Sequence, residues 1–499
     1  MKKHVDWVLI VAAIMIAVAC VLMLQWIAQK PVQTESTLKV NWDFLQNPVP
    51  ASSDKPSAVE VTVYQSSSPS YAYSRQWLQF DYGGGIGLVK EIRSAELSGG
   101  AALLSIKNTA AYLDAASVTF KDLTSPQTQL LEQDYDYDLV SDQKLLEKYV
   151  DKTISVKTEN ETITGVLLSS SAGTLVLQTP SGIVSVSNYK QVNYPSLPQG
   201  LITTPTLTWL LANTTPGTHA FEVTYLTSGI DWNANYVATA NADDSQIELR
   251  AWVSVKNDAG TTFENAKLKL VAGDIHLAGG EATPFPRAYN AMAAEAAEAK
   301  SFAEEQLFEY HLYALDRPTT LKNGQVKQIS FFNAPTVPVE KQFVFEPDQS
   351  SKVQVKLSFE NKKEKGLGLP LPKGKVRVYK PDSMGQLQFL GEDQIDHTAE
   401  NESVKLFIGN AFDVVAERTQ TDQRQHGSCA TENSYRVELR NHKTEPVSVI
   451  VVENTWGETT ITRESMPHAK ESAHKYTWRV PVPAGGTAEL TYSIEQRWC

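Results

Sequence analysis

The stretch Ile247-Glu-Leu-Arg-Ala-Trp-Val-Ser-Val255 places an apolar residue at every second position. Side chains of a β-strand point alternately to the two faces of a sheet, so this period predicts a strand with one buried face. The same rhythm begins at Val59-Glu-Val-Thr-Val-Tyr64 and returns at Lys352-Val-Gln-Val-Lys-Leu-Ser-Phe359. It continues to Tyr492, with Gly and Pro residues between the runs. The sequence therefore predicts an all-β, multidomain protein with β-sandwich-like domains.

A group of shorter strands lies between the longer ones. A short helix is predicted at Ser141–Tyr149, with Ser141 as its N-cap, because Ser often caps the first turn. Strands this short and this evenly spaced predict a small β-barrel. The four predicted strands of this barrel are Thr153–Lys157, Gly165–Leu168, Thr174–Gln178 and Gly182–Val186.

The N-terminus carries a long apolar segment, Trp7–Ile27, interrupted only by Gln25. Its length predicts a transmembrane helix, since a hydrocarbon core of about 30 Å needs about 20 helical residues. Lys2 and Lys3 precede it and favour a cytoplasmic N-terminus. Two alternatives stay open: a cleaved signal peptide, and lipidation of Cys20 after small residues that resemble a lipobox.

These patterns divide the chain into five predicted regions. A short Ala/Glu-rich stretch at about 288–308 favours a helical insertion in a long loop. The regions are a transmembrane anchor or signal at 1–28, a tether at 29–58, an N-terminal β domain at 59–140, the helix and small barrel at 141–200, and a β-sandwich region at 201–499.

Charge and cysteine content narrow the possible functions. The net charge is −12 and no basic stripe is present, so nucleic-acid binding is not expected. The three cysteines are Cys20, Cys429 and Cys499, and no CxxC pair occurs. Outside the cytoplasm, Cys429 and Cys499 are candidates for a disulfide, because each flanks a predicted C-terminal strand.

Four carboxylates recur at alternate positions: Glu132, Asp134, Asp136 and Asp138. On a strand they would share one face, where a cation such as calcium could neutralise their repulsion. The alternative is a solvated face that discourages pairing at a sheet edge. Calcium is the only cofactor that the sequence suggests.

Signatures of catalysis are weak. The chain has no Gly-x-Ser-x-Gly motif, and Ser141 with Lys144 matches Ser-x-x-Lys in spacing only. Histidines pair with acids at Asp274/His276 and Glu309/His311, which is too few ligands for a transition metal. We therefore expect a protein that is not an enzyme, although an acid pair assembled from distant positions stays an alternative.

Three aromatic residues of the long strands admit two interpretations. Trp232, Tyr236 and Trp252 could form an exposed binding platform or the core of a sandwich. We favour the core, because large rings dominate the interior of β-sandwiches.

An ordered series of motifs covers roughly residues 55–495. They include Leu226-Thr-Ser-Gly-Ile-Asp-Trp-Asn-Ala-Asn-Tyr236, Ala251-Trp-Val-Ser-Val-Lys-Asn-Asp-Ala-Gly260, Ala266-Lys-Leu-Lys-Leu-Val-Ala-Gly273, Phe308-Glu-Tyr-His-Leu-Tyr313, Ile408-Gly-Asn-Ala-Phe-Asp413, Val437-Glu-Leu-Arg-Asn-His-Lys443 and Val480-Pro-Val-Pro-Ala-Gly485. Together they resemble a prokaryotic family defined by a domain of unknown function, distantly similar to the mucoidy inhibitor A proteins. The resemblance implies a β-rich exported protein and brings no catalytic residue or ligand.

The sequence thus predicts a membrane-anchored scaffold or binding protein of the bacterial cell envelope. Its bulk would lie outside the cytoplasm, in the periplasm, held to the cytoplasmic membrane by one N-terminal segment. The expected partner is an envelope protein or glycan. The alternative is an envelope hydrolase with an acid pair between two β domains.

Overall fold

The computed structural model describes residues 47–65, 85–136, 140–171, 173–198, 201–277, 302–332 and 336–498. The predicted membrane segment with Cys20, the acid Asp138, Cys499 and the Ala/Glu-rich stretch up to residue 301 lie outside these residues. Within the described part, none of the helices has the length and apolar character to cross a membrane.

The described residues are nearly all β and contain one α-helix, α1, at Asp142–Lys148. The strands before the helix are β1 (Val49–Ser53), β2 (Ala58–Tyr64), β3 (Ile86–Leu97), β4 (Gly100–Lys107), β5 (Thr119–Asp122) and β6 (Gln129–Asp136). Directly after the helix come β7 (Thr153–Lys157), β8 (Thr162–Ser171), β9 (Thr174–Thr179), β10 (Gly182–Ser187) and β11 (Gln191–Asn193).

The central strands are longer. They are β12 (Thr206–Thr214), β13 (Gly217–Ser228), β14 (Ile230–Ala240), β15 (Gln246–Asn257), β16 (Phe263–Ala272), β17 (Phe302–Leu307), β18 (Tyr310–Leu315), β19 (Thr319–Leu321), β20 (Gln325–Phe332), β21 (Thr336–Pro338) and β22 (Glu340–Phe345). The last group is β23 (Gln354–Glu360), β24 (Gly374–Pro381), β25 (Leu387–Ile395), β26 (Ser403–Asn410), β27 (Val414–His426), β28 (Ala430–Asn441), β29 (Val447–Asn454), β30 (Glu458–Glu464), β31 (Ala469–Ser472), β32 (Lys475–Val482) and β33 (Thr487–Arg497).

Three sheets form most of the wall of the largest core, and the strands β23 and β26 of a fourth sheet add Leu357, Phe359, Val404 and Leu406 to it. The strand orders of the three sheets are β1-β4-β12-β6, β17-β18-β16-β2-β3-β13-β5 with β19 paired to β16, and β20-β15-β14-β24-β25 with β21 paired to β15. Val61 of β2 and Val89 of β3 share this core with Trp232 and Tyr236 of β14. Residues from both sides of the boundary predicted at residue 201 therefore pack into one interior.

A separate small unit follows α1. Its five strands form a half-barrel sheet in the order β10-β9-β8-β7-β11. Ile154, Val156, Leu167 and Leu177 fill its inner face. The four short strands predicted from the sequence are confirmed, and β11 is an addition to them. The helix is confirmed as well, with the Ser141 hydroxyl accepting the Lys144 backbone N–H at 3.2 Å.

The C-terminal part is a pair of facing sheets. Their orders are β26-β23-β22-β29-β32-β31 and β27-β28-β33-β30. Trp478 and Val451 of the first sheet pack against Tyr492, Val437 and Leu490 of the second. This arrangement places the ends of the two sheets, and the loops between them, at the surface.

Two segments differ from the sequence-based expectation. Val49–Ser53 falls inside the predicted tether, yet it forms β1 and pairs in parallel with β4. Pro50 is tolerated in this segment because β1 lies at the edge of its sheet, where a missing N–H costs little. Phe302–Leu307, at the end of the stretch predicted to be helical, forms β17, whose Phe302 is buried in the large core.

Candidate functional site

Five large apolar side chains are exposed where the edge strands β25 and β26 meet. Phe412, directly after β26, is 94% exposed. We call this set the Phe412 surface; its members are Leu387, Phe389, Leu390, Phe407 and Phe412. Apolar residues scattered singly over a surface are ordinary, but a contiguous group often marks an interaction site.

The local geometry explains why β25 and β26 adjoin. The Asp393 carboxylate on β25 accepts the Phe407 backbone N–H of β26 at 2.7 Å. Gly391 lies so close to Ile408 that an added Cβ would collide with the Ile408 carbonyl oxygen. These two contacts set an antiparallel course for β25 and β26, so the first residues of β25 run towards the end of β26 that precedes Phe412.

A cavity of about 350 Å³ adjoins Phe412. Pockets of this size are large enough for a side chain or a small ligand. Its apolar wall includes Val353 and Val414, and its polar wall includes Lys352 and Asn410. The lining residues are Ser351, Lys352, Val353, Asn410, Ala411, Phe412, Val414, Val415 and Ala416, so the wall contains one cation and no acid.

A buried charge cluster lies further along β27, on the same strand face as the buried residues Val414 and Ala416. Arg418 donates to the Glu453 carboxylate at 2.7 Å, and the Tyr492 hydroxyl donates to the same oxygen at 2.6 Å. Burial raises the pKa of Glu453 above its usual value of 4.5, although the bonds from Tyr492 and Arg418 oppose that shift. Because both bonds join the two facing sheets, the cluster locks them together.

A second buried carboxylate, Glu346, lies in the same part of the molecule. Its Oε1 accepts from the Asn454 amide at 2.7 Å and from the Gln349 amide at 2.9 Å. Glu346 and Glu453 are therefore both occupied by protein donors. A general acid or base must face its substrate, so these carboxylates fit a structural role.

The large core contains a comparable clamp. Arg93 is fully buried; its Nε donates to Glu91 at 2.6 Å, and its Nη1 donates to the carbonyl oxygen of Lys107 at 2.8 Å. The Tyr225 hydroxyl donates to the other Glu91 oxygen at 3.0 Å. This network ties β3 and β13 of one sheet to β4 of another.

One arrangement resembles an acid–base relay. The buried His219 lies between Asp122, at 2.6 Å from Nδ1, and the Thr215 hydroxyl, at 3.1 Å from Nε2. The same Nε2 also lies 3.0 Å from the Thr215 carbonyl oxygen, which can only accept a hydrogen bond. The buried imidazole thus contacts Asp122 through one ring nitrogen and Thr215 through the other, and it holds the turn between β12 and β13.

The predicted acidic face is present on β6. Glu132, Asp134 and Asp136, here called the β6 acids, are exposed, and the opposite face turns Gln133 and Tyr135 inward. Because β6 is an edge strand, this placement matches protection of a sheet edge. Among the described residues no three His, Cys, Asp or Glu are grouped to hold a metal ion. Calcium binding that also uses Asp138 stays a prediction, because that residue is outside the described part.

The described cysteine, Cys429, is disulfide-bonded. The Trp498 backbone N–H donates to the Cys429 carbonyl oxygen at 3.1 Å, which brings the C-terminus to this loop. Pairing with Cys499 stays a prediction, since that residue lies outside the described part, as does the lipidation candidate Cys20.

The aromatic residues of β14 and β15 differ in their exposure to solvent. Trp232 and Tyr236 are fully buried, as the core interpretation predicts. Trp252 is 40% exposed, so that interpretation is wrong for it. The reason is the alternation of β15, in which Ala251 and Val253 take the buried face and Trp252 the other.

The Phe412 surface was not predicted from the sequence. A usable signal was Leu387-Gln-Phe-Leu390, where apolar residues fall on both faces of a strand. A strand with only one buried face cannot bury apolar residues that point to both sides. The pattern therefore indicates that some of these apolar side chains are exposed.

Residues 221–499 match the domain of unknown function DUF4139. The matched range contains the Phe412 surface, its cavity and the Glu453 cluster, whereas the half-barrel precedes it. No curated protein matches the chain.

Proposed function

Because the chain belongs to the DUF4139 family, whose domain has no assigned function, we propose its function from the surface just described. The protein is a membrane-anchored, extracytoplasmic binding protein or scaffold of the bacterial cell envelope, and it holds a partner on the Phe412 surface. The observation that carries this proposal is the exposure of Phe412 beside a cavity, together with four further exposed apolar side chains on the adjoining strands β25 and β26.

The chemistry of the surface favours a protein partner. Phenylalanine and leucine side chains gain most from covering other apolar side chains, and aromatic anchors dominate binding energy in such interfaces. The cavity accepts one apolar side chain of the partner, and Lys352 at its wall favours an acidic neighbour. A glycan would need more hydrogen-bonding groups than this surface offers.

The location is part of the proposal. Trp7–Ile27 is long enough to span a bilayer, and Lys2 and Lys3 favour a cytoplasmic N-terminus. The proposal includes a distant relationship to mucoidy inhibitor A proteins, inferred from the sequence motifs alone, which fits an envelope role. Protease added to spheroplasts should therefore digest the C-terminal sheets, and protection of them would contradict this topology.

The hydrolase alternative has one supporting feature, the Thr215–His219–Asp122 alignment. If that alignment were catalytic, Thr215→Ala would abolish turnover of an envelope ester or peptide and leave folding intact. We expect no such turnover from the purified full chain.

A site-specific photo-crosslinker tests the binding function. It replaces Phe412 in the full chain, expressed in its membrane, and Val326 serves as the matched control because it is an apolar residue, 58% exposed, on another edge strand. We expect one discrete protein adduct at position 412 and none at position 326. An adduct with a glycan would show that the partner is a glycan and not a protein. Equal amounts of adduct at both positions would contradict the proposal.

A further inference from the structure

The half-barrel has two unpaired edges. Among the described residues, β10 pairs only with β9, and β11 pairs only with β7. Each edge therefore presents backbone N–H and C=O groups that a further strand can bind. We propose that the half-barrel associates with a second copy of this chain, β10 of one copy meeting the β11 end of the next.

The two edges lack the protection found on another edge of the same protein. Strand β6 carries its three acids along an exposed face. By contrast, β10 reads Gly-Ile-Val-Ser-Val-Ser and β11 reads Gln-Val-Asn, with no charged residue and no proline. Edges without charge or proline are more open to pairing with other chains, and β10, with six residues, is the longer of the two.

The interior of the half-barrel is incompletely covered at both edges. Val184 of β10 and Val192 of β11 pack against its core but are only partly buried. Ile183, on β10, is 69% exposed. A strand added at either edge would remove apolar surface from water, which favours association.

A cavity beside β11 supplies a complement to Ile183. Its volume is about 160 Å³, which is room for one aliphatic side chain. It is lined by Thr153, Ile154 and Ser155 of β7, by Asn193 at the end of β11, and by Tyr194 and Pro195 directly after it. One copy therefore offers a protruding isoleucine at one edge and a recess at the other.

The contact is head-to-tail, because the two edges differ. A copy whose β10 pairs with one neighbour still has its β11 end free to pair with another neighbour. The assembly is therefore a closed ring if the rotation from each copy to the next adds up to a full turn, and a filament if it does not. The chain thus carries its partner-binding surface and its assembly edges on different units.

The first test measures the mass of the full chain, purified in detergent, by native mass spectrometry. We expect assemblies of two or more chains, and Ile183→Lys should reduce them to single chains, since a charge at the edge opposes pairing. Val326→Lys is the matched control, and Phe412→Ser separates this contact from association through the Phe412 surface; both should keep the assemblies. A single-chain mass at every concentration, or assemblies that persist in Ile183→Lys, would overturn the inference.

The second test identifies the pairing. Full-length Ile183→Cys and Asn193→Cys proteins are mixed and treated with a mild thiol oxidant, beside each variant alone and the parent chain. The inference predicts a linked pair that contains one chain of each variant. Links only between identical variants would overturn it, because they would indicate a symmetric contact. Circular dichroism of each variant checks that the fold is kept.

Discussion

Removing the hydroxyl of Tyr492 should loosen the join between the two C-terminal sheets. In wild type that hydroxyl donates to Glu453 at 2.6 Å, and the Glu453 side chain is almost fully buried. Tyr492→Phe keeps the ring, which stacks on Trp478 at 4.5 Å, and deletes only the hydrogen bond. Hydrogen bonds to charged groups contribute about 1.5–3 kcal/mol, and the nearly complete burial of Glu453, which keeps its ion pair with Arg418, favours the upper part of that range.

The expected loss is therefore about 2–3 kcal/mol in the free energy of unfolding of the C-terminal sheets. It is measured by urea denaturation of the full chain, followed by tryptophan fluorescence. Trp478 reports the transition because it lies against the substituted ring.

Tyr435→Phe is the matched control. The Tyr435 ring packs beneath Arg418, with the guanidinium carbon 4.5 Å from its centre, and its hydroxyl makes no hydrogen bond among the described residues. Its loss should cost less than about 0.5 kcal/mol. Equal destabilisation by the two substitutions would refute the claim that the Tyr492 hydroxyl holds Glu453.

Three further predictions concern pH, the acidic edge and the cysteines. Because burial raises the pKa of Glu453, the carboxyl group holds its proton more tightly in the folded protein than in the unfolded chain. The free energy of unfolding of wild type should therefore exceed that of Glu453→Gln most strongly below about pH 4.5, and this advantage should decline as pH rises through the raised pKa. Urea titrations of both proteins from pH 4 to 7 check this, and an advantage that grows with pH would contradict it. Changing the β6 acids to amides should promote aggregation, measured by light scattering, because these acids protect a sheet edge. The change in melting temperature on adding calcium should be the same for wild type and variant. If wild type is stabilised by calcium and the variant is not, the acids form a cation site instead. Peptide mapping of non-reduced protein should recover Cys429 linked to Cys499, and a different partner would exclude that pairing.

The sequence predicted the strands and the helix well because their signals are local. The alternation of Ile247–Val255 and the N-cap at Ser141 need only neighbouring residues to act. Which strands share a sheet is decided by contacts between distant residues, so β2 joining β16 in parallel was not predictable from its own six-residue pattern.

The candidate site shows the same limit. Phe412 belongs to the motif Ile408–Asp413, but its exposure was not predictable, since exposure of a phenylalanine depends on what packs over it. The Arg418–Glu453–Tyr492 cluster joins residues from three strands that no sequence spacing connects. Trp252 was misplaced because its ring size was given more weight than its position in an alternating strand.

Coverage of the Phe412 surface in the membrane is the most direct test of the binding function. A Phe412→Cys protein is labelled with a membrane-impermeant maleimide, once in native membranes and once after purification, with Val326→Cys as the control. If a partner covers this surface, labelling at position 412 is at least about tenfold slower in membranes than in purified protein, while the control reacts equally in both. Equal rates at position 412 in the two preparations would contradict the account.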